Sequence, residues 1–246
     1  MSKLDYLIER LVEWYRGGKP GPDMVQIYPT NRCNLKCIFC AQRLNLYDLS
    51  KEVKHRRWLE ITKEICGLGV REILISGGGE PLCVPKTVMK MMEIIKRANV
   101  EGRIITNGTL WTETLIKKTI EIGWDHVIFS VDGIGSTHDY LRGVKGTFNK
   151  ILKNITIFRK LKKKLGSDKP FLEFTFVLNA LNYKEVPKMI KERSVDGVIL
   201  LGHMPPDFVK MVVAKKIPVV MVDNYFEGSG TNAIIVDNFD GGYKVG

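Results

Sequence analysis

The chain predicts an α/β fold, a partial (β/α) barrel of parallel strands. Three observations point there. Short runs rich in Val and Ile alternate five times with longer segments of helical periodicity, the pattern of βα units winding a parallel sheet. Polar and glycine-rich turns follow the strand candidates, so chemistry-bearing loops gather at one end of the sheet. With 246 residues, 44% of them hydrophobic, the chain can bury one large α/β domain, or one medium domain and a further piece.

The elements follow in order. Leu4, Leu7, Ile8, Leu11 and Val12 share one helical stripe, broken by the Gly-Gly-Lys-Pro-Gly-Pro run at 17–22, so 1–22 reads as an N-terminal helix and linker. Strands are predicted over 24–28, 72–76, 103–106, 126–131 and 171–178, and helices over 57–68, 86–98, 112–122, 147–165 and 183–193. Together 23–193 form the predicted core domain of five βα units. Three further short runs, 197–201, 218–222 and 233–236, have shorter connections and fewer lysines, and 242–246 reads as the first turn of a helix cut short. That sets 194–246 apart as a second segment.

Composition narrows the function. No stretch approaches the roughly 18 apolar residues of a membrane span, and the charged amphipathic start lacks a signal-peptide core, so no membrane role and a cytoplasmic location are expected. Net charge is +11, yet 194–246 hold four lysines against six acids, so the basic excess lies in the first 193 residues. Its densest run, 145–169, interleaves lysines with Phe148, Ile151, Leu152, Ile155, Phe158, Leu161 and Leu165 at helical spacing. Two readings stand: a solvated helix face, or an electrostatic approach path for an acidic peptide, nucleotide or RNA. No hydrolytic Ser/His/Asp or Cys/His arrangement is legible.

The strongest signal is Cys33-Asn-Leu-Lys-Cys37-Ile-Phe-Cys40, placing three of five cysteines within eight residues just after the first strand. That spacing suits metal ligation in a reducing compartment rather than a disulfide framework, and leaves Cys66 and Cys83 as buried or incidental. Zinc would need a fourth ligand; His55 is the nearest candidate, with no second Cys pair beside it. An iron-sulfur cluster held by three thiolates leaves one iron open to an exogenous ligand. Chance clustering of buried cysteines is the remaining reading.

Thr30-Asn-Arg-Cys-Asn-Leu-Lys-Cys-Ile-Phe-Cys40 resembles the CxxxCxΦC loop of the radical S-adenosylmethionine (SAM) superfamily. The resemblance implies a [4Fe-4S] cluster on Cys33, Cys37 and Cys40, SAM on the fourth iron, and Phe39 near the adenine. It further implies reductive cleavage of SAM to methionine and a 5′-deoxyadenosyl radical that takes hydrogen from substrate.

Ile75-Ser-Gly77-Gly78-Gly79-Glu80-Pro81 resembles the family's GGE loop, whose backbone receives the SAM amino group; missing Cβ atoms allow that close approach. Thr106-Asn107-Gly ends the third strand, and Ser130-Val-Asp132-Gly ends the fourth, at the same end of the sheet. Ser130-Val-Asp132-Gly, His138-Asp139 and Arg142-Gly143 are similar to motifs of peptide-modifying relatives. By that likeness Ser130 and Asp132 contact the SAM ribose or carboxylate and Arg142 pairs with the carboxylate. Local capping is the competing reading for each, and Asn179 is equally ordinary turn chemistry.

The radical SAM resemblance covers about 20–193, five of the six βα units such a core has. Residues 194–246 are similar to a middle slice of the sugar-binding domain of lactose-repressor-type regulators. No helix-turn-helix accompanies that slice, so neither DNA nor sugar binding carries over. The whole then reads as a chimera, with flavodoxin-like or periplasmic-binding-protein-like βα units completing the sheet and Val198-Ile-Leu-Leu201 docked beside strand five, or as a divergent natural enzyme whose last units only look repressor-like. Two functional readings follow. One is a radical SAM enzyme acting on a peptide or small molecule, served by a small flavodoxin- or ferredoxin-like electron donor. The other is a non-enzymatic chimeric α/β protein, a fold-recombination product or a repressor-derived sugar-binding or interaction module, that keeps the cluster ligands without turnover.

Overall fold

A computed structural model describes residues 3–41, 48–186, 188, 197–201, 204–223, 228 and 230–234. The chain divides into two compact units, Met1–Val177 and Leu178–Gly246. The junction at 193/194 and the tail at 242–246, both singled out in the sequence, lie outside the described residues.

The first unit is a five-stranded parallel sheet of β1 (Met24–Ile27), β2 (Glu72–Ile75), β3 (Glu101–Thr106), β4 (His126–Ser130) and β5 (Phe171–Thr175). Spatial order equals sequence order. Between the strands run α2 (His55–Gly67), α3 (Pro85–Arg97), α4 (Glu113–Glu121), α5 (Ser136–Arg142) and α6 (Thr147–Leu165), with α1 (Lys3–Tyr15) preceding β1. Parallel strands need such crossovers, and a constant right-handed sense winds the sheet one way, as in a β/α barrel. The five predicted strands and the helices between them are present, their ends shifted by at most three residues; the short α5 was not predicted.

Side chains alternate across the strands and give the sheet two characters. Ile73, Ile75, Ile104, Val127 and Phe129 are buried among Val88, Met91, Met92 and Ile95 of α3, Ile116 and Ile120 of α4, and Ile151 and Phe158 of α6. A buried Leu- or Ile-sized side chain stabilises by about 1.5–3 kcal/mol, so this layer carries the fold. The alternate positions hold an ionic lattice: Arg103 bridges Glu72 (3.6 Å) and Glu173 (3.0 Å), and His126 Nε2 meets Glu101 at 3.2 Å.

Helix starts and stops follow local chemistry. The Asp139 carboxylate accepts from Phe148 N (2.9 Å) and Thr147 Oγ1 (2.7 Å), capping α6 from within α5. Thr112 Oγ1 accepts from Leu115 N and caps α4. On α1, Tyr6 lies under the Arg71 guanidinium, 4.0 Å from its ring centroid, while Arg71 pairs with Asp23 at 2.6 Å just ahead of β1. No helix among the described residues is long and apolar enough to cross a membrane.

The second unit holds β6 (Val198–Leu201), β7 (Val219–Val222) and β8 (Asn232–Ile234), all parallel. The helix Pro206–Val213 links β6 to β7, and Leu200, Phe208, Val209, Val212, Val219 and Met221 form a separate core. β6 takes β7 as its parallel neighbour in a second sheet, through its own βα crossover. Its all-apolar composition had suggested burial on both faces, but Ile199 and Leu201 are 74% and 66% exposed. The helix predicted over 183–193 begins as a 3-10 turn at Tyr183–Glu185; residues 189–193 lie outside the described set.

Candidate functional site

The cysteine loop leaves β1 at its C-terminal end and is fixed from four directions. At its entry, Glu52 accepts from Thr30 Oγ1 (2.7 Å), Asn31 N (2.7 Å) and Arg32 Nε (3.0 Å). From the glycine loop, Gly79 N donates to Thr30 O (3.1 Å) and Glu80 N to Arg32 O (2.8 Å). From the end of α5, the carbonyls of Leu141 and Arg142 accept from Ile38 N (2.9 Å) and Lys36 N (3.1 Å), on either side of Cys37. From β3's end, Asn107 Nδ2 donates to Asn34 Oδ1 (2.9 Å), and Asn34 Nδ2 to Thr109 Oγ1 (2.8 Å).

Two glycines make these contacts possible. A Cβ on Gly79 would stand 2.1 Å from Arg32 O, and one on Gly143 would stand 2.2 Å from Lys36 O. Gly143 also closes α5 at φ +69°, a conformation other residues adopt at a cost. A Cβ on Gly77 would likewise strike Gly79 O at 2.2 Å, so the turn is as tight as its composition suggested. Gly78 lies half-buried between them.

All five cysteines are free thiols. Desolvation raises the Cys33 and Cys37 thiol pKa values; at Cys33 the Leu35 amide opposes it and the charges of Glu80, Cys37 and Cys40 add to it, while at Cys37 the Arg142 guanidinium opposes it and Cys40 and Asp132 add to it. Among the described residues no three His, Cys, Asp or Glu side chains converge on a single ion. His55, the nearest candidate for a fourth zinc ligand, is engaged with Thr87 Oγ1 at 2.9 Å. Three free thiols on one short loop, framed by backbone bonds from the glycine loop and α5, suit an iron-sulfur group that leaves one iron open. Cys66 packs against the core. Cys83 is less incidental than its position suggested: burial pushes its pKa up to about 11, with the charges of Cys33 and Glu80 adding to the rise.

Glu80 is 2% exposed and turned inward. Its carboxylate accepts from Leu82 N (3.2 Å), Thr106 Oγ1 (2.7 Å) and Asn107 N (2.6 Å), tying the glycine loop to the end of β3. Burial raises its pKa, opposed by those three donors and by the Arg142 charge. Thr106 and Asn107 thus act through Glu80 and Asn34, as braces for the two loops.

Beyond β4, Asp132 is fully buried: Val177 N donates to its Oδ1 (2.8 Å) and Arg142 Nη2 pairs with its Oδ2 (2.6 Å). Asp132 N donates to His138 Nδ1 (3.1 Å), which assigns the ring its Nε2–H tautomer. Burial lowers the His138 pKa to about 4, helped by the Arg142 charge, so the ring is neutral. Arg142 Nη1 reaches Cys37 Sγ at 3.7 Å, and its guanidinium lies over the Phe39 ring, 5.7 Å from the centroid. Phe39 itself is 44% exposed beside the loop. Ser130, half-buried, ends β4 opposite Thr175. Asn179 bonds Leu181 N within a local turn.

Two buried donors, Arg142 Nε and His138 Nε2, have no hydrogen-bond partner among the described residues. Stranding them costs free energy, so an acceptor arriving from a bound molecule would be favoured here. That demand fits the carboxylate that the motif resemblance assigns to Arg142. Beside the cysteine loop opens a cavity of about 680 Å³, lined by Lys36, Ile38, Tyr140, Gly143, Lys145 and Phe148 among others. Glu52 and Asn34 escaped the sequence reading. Glu52 lies 20 residues beyond Arg32 with no motif to mark it, and Asn34 was passed over between two cysteines.

Comparison with known proteins agrees with this geometry. The family model described as "Radical SAM superfamily" matches residues 27–193. Fe-coproporphyrin III synthase of Methanosarcina barkeri is 30% identical over 158 residues, 64% of this chain and 37% of that protein. Sporulation killing factor maturation protein SkfB of Bacillus subtilis is 26% identical over 172 residues, 70% of this chain and 39% of SkfB. SuiB of Streptococcus suis shares the fold: its complex with precursor peptide SuiA gives a TM-score of 0.61 at 16% identity, covering 82% of this chain and 44% of SuiB. Its SAM-bound form gives 0.58 at 17% identity, covering 92% and 44%. The chain spans less than half the length of each of these relatives. On a family match spanning more than half of the chain, together with a cysteine loop framed as described, this protein belongs to the radical SAM superfamily.

Proposed function

We propose that the chain binds a [4Fe-4S] cluster through Cys33, Cys37 and Cys40, binds SAM beside it, and works as a radical SAM enzyme on a peptide or small-molecule substrate. The carrying observation is the cysteine loop itself, three free thiols held by backbone bonds from the glycine loop and α5. When bound, the cluster supplies the electron that cleaves SAM to methionine and a 5′-deoxyadenosyl radical, which takes a hydrogen atom from substrate. The chain's own residues prepare the site. Gly77, Gly78 and Gly79 keep the backbone open to the SAM amino group, and Glu80 holds that turn against β3. Ser130 borders the ribose side, Asp132 acts from behind it by holding Arg142, Thr106 and Asn107 brace the glycine and cysteine loops, Arg142 offers its unused Nε–H to the carboxylate, and Phe39 offers its ring to the adenine.

Likeness to Fe-coproporphyrin III synthase supports a small-molecule substrate, and likeness to SuiB, seen bound to a precursor peptide, supports a peptide. The basic rim of the cavity at Lys36 and Lys145 would steer an acidic flavodoxin- or ferredoxin-like electron donor toward the loop. The family match gives no support to the non-enzymatic alternative. The lactose-repressor likeness of 194–246, and the chimeric origin it suggests, enter the proposal with no DNA- or sugar-binding role. Anaerobic reconstitution with iron and sulfide tests it: wild type is expected to take up about four irons and absorb near 400 nm, and Cys37→Ala to take up none. A wild-type protein that stays colourless, or a Cys37→Ala variant that loads like wild type, overturns the proposal.

A further inference from the structure

We infer that Arg142 is a positioning residue for the cluster ligand Cys37, making the bound cluster easier to reduce, with Asp132 as the counter-charge that sets how much positive charge the cluster feels. The inference rests on the cluster reading above and adds a task that SAM binding does not require.

The geometry is specific to one thiol. Arg142 is 8% exposed, and its two terminal nitrogens are divided between Asp132 Oδ2 at 2.6 Å and Cys37 Sγ at 3.7 Å. Cys37 is the buried member of the triplet, so a charge beside it is poorly screened. The guanidinium cannot drift, because the helix end that carries it is locked to the loop. The Leu141 and Arg142 carbonyls hold Ile38 N and Lys36 N, and Gly143 is packed against Lys36 O too closely for a side chain. On the far side, His138 holds the Asp132 backbone and Val177 N holds its carboxylate. A chain of contacts, His138 to Asp132 to Arg142 to Cys37, therefore ends on a cluster sulfur.

Reduction adds one electron, hence one negative charge, to the cluster and its thiolates. A cation donating an N–H to one thiolate sulfur stabilises the reduced form more than the oxidised form, as outer-shell donors do at iron-sulfur sites. Asp132 offsets part of that charge. Removing Arg142's charge should make reduction harder; removing Asp132's should make it easier. A purely structural role would move both variants the same way.

The test is an anaerobic redox titration of the reconstituted protein, followed by the reduced-cluster EPR signal, with iron content and thermal melting read in parallel. At the solution potential that half-reduces wild type, Arg142→Gln is expected to show a reduced-to-oxidised ratio roughly tenfold lower, the scale of one charge-assisted hydrogen bond. Asp132→Asn is expected to show a higher ratio than wild type. Arg142→Lys, which keeps the charge but not the two-pronged geometry, should fall between Gln and wild type. If Arg142→Gln folds but takes up no iron, Arg142→Lys and Asp132→Asn still decide the sign. Midpoints unchanged in the variants that load, or shifted in the same direction by Arg142→Gln and Asp132→Asn, overturn the inference while leaving the cluster reading intact. Failure of wild type itself to load iron overturns both.

Discussion

Replacing Glu80 with alanine removes a carboxylate that no solvent can replace. Three donors point at it: the amides of Leu82 and Asn107 and the hydroxyl of Thr106. The hydroxyl can rotate to another acceptor, but the two amides are fixed by backbone and would be left buried and unpaired. Each stranded donor costs about 1–3 kcal/mol, and hydrogen bonds to a charged group stand at the upper end. The void left by the side chain adds to that, so the expected loss is about 3–5 kcal/mol. For a domain of this size that corresponds to a fall in melting temperature of roughly 10 °C. Glu80→Gln is expected to lose about 2 kcal/mol, because an amide offers one acceptor where two oxygens were needed. Urea denaturation of the cluster-free protein measures both, with the exposed Glu64→Ala as a control expected to stay within about 0.5 kcal/mol. If Glu80→Ala costs less than about 1 kcal/mol, the carboxylate is not the brace described, and its place as a ligand-facing group is restored.

Two further outcomes follow from the same geometry. Gly143→Ala places a Cβ 2.2 Å from Lys36 O, whereas Gly123→Ala, at nearly the same φ of +68°, meets nothing within 4 Å; both pay about 1 kcal/mol of backbone strain, and only Gly143→Ala should lose iron uptake on reconstitution. His138 has a folded pKa of about 4 against an ordinary 6.5, so the unfolded chain binds the proton first and stability declines as pH falls from about 6.5 toward 4. That decline is expected to be on the order of 2–3 kcal/mol and to flatten in His138→Phe, read from urea midpoints across that range.

Much of the frame was legible because its signals are local. Alternating runs such as Glu72–Ile75 and His126–Ser130 read as strands, since buried parallel strands favour β-branched residues whatever surrounds them. The cysteine spacing and the glycine run were equally plain, because chemistry there demands those residue types. Pairing at long range was not legible. Glu80 carries the look of a ligand, and only the fold reveals that Thr106 and Asn107, more than 25 residues on, consume its oxygens. Glu52, which anchors the loop entry, sits in a polar stretch with no periodicity. The seven residues of α5 were too few to give a helical pattern, although Gly143 marked their end. The runs after residue 197 show the same limit: four apolar residues in Val198–Leu201 state that a strand exists, and say nothing of its pairing with Val219–Val222.

The central claim is that the loop around Cys37 supports reductive cleavage of SAM. Its most direct test is to add dithionite and SAM to the anaerobically reconstituted protein and quantify 5′-deoxyadenosine against time by liquid chromatography. The account predicts 5′-deoxyadenosine and methionine in equal amounts from wild type and neither above background from Cys37→Ala. A fully loaded cluster that leaves SAM intact, or equal product from both proteins, would contradict it.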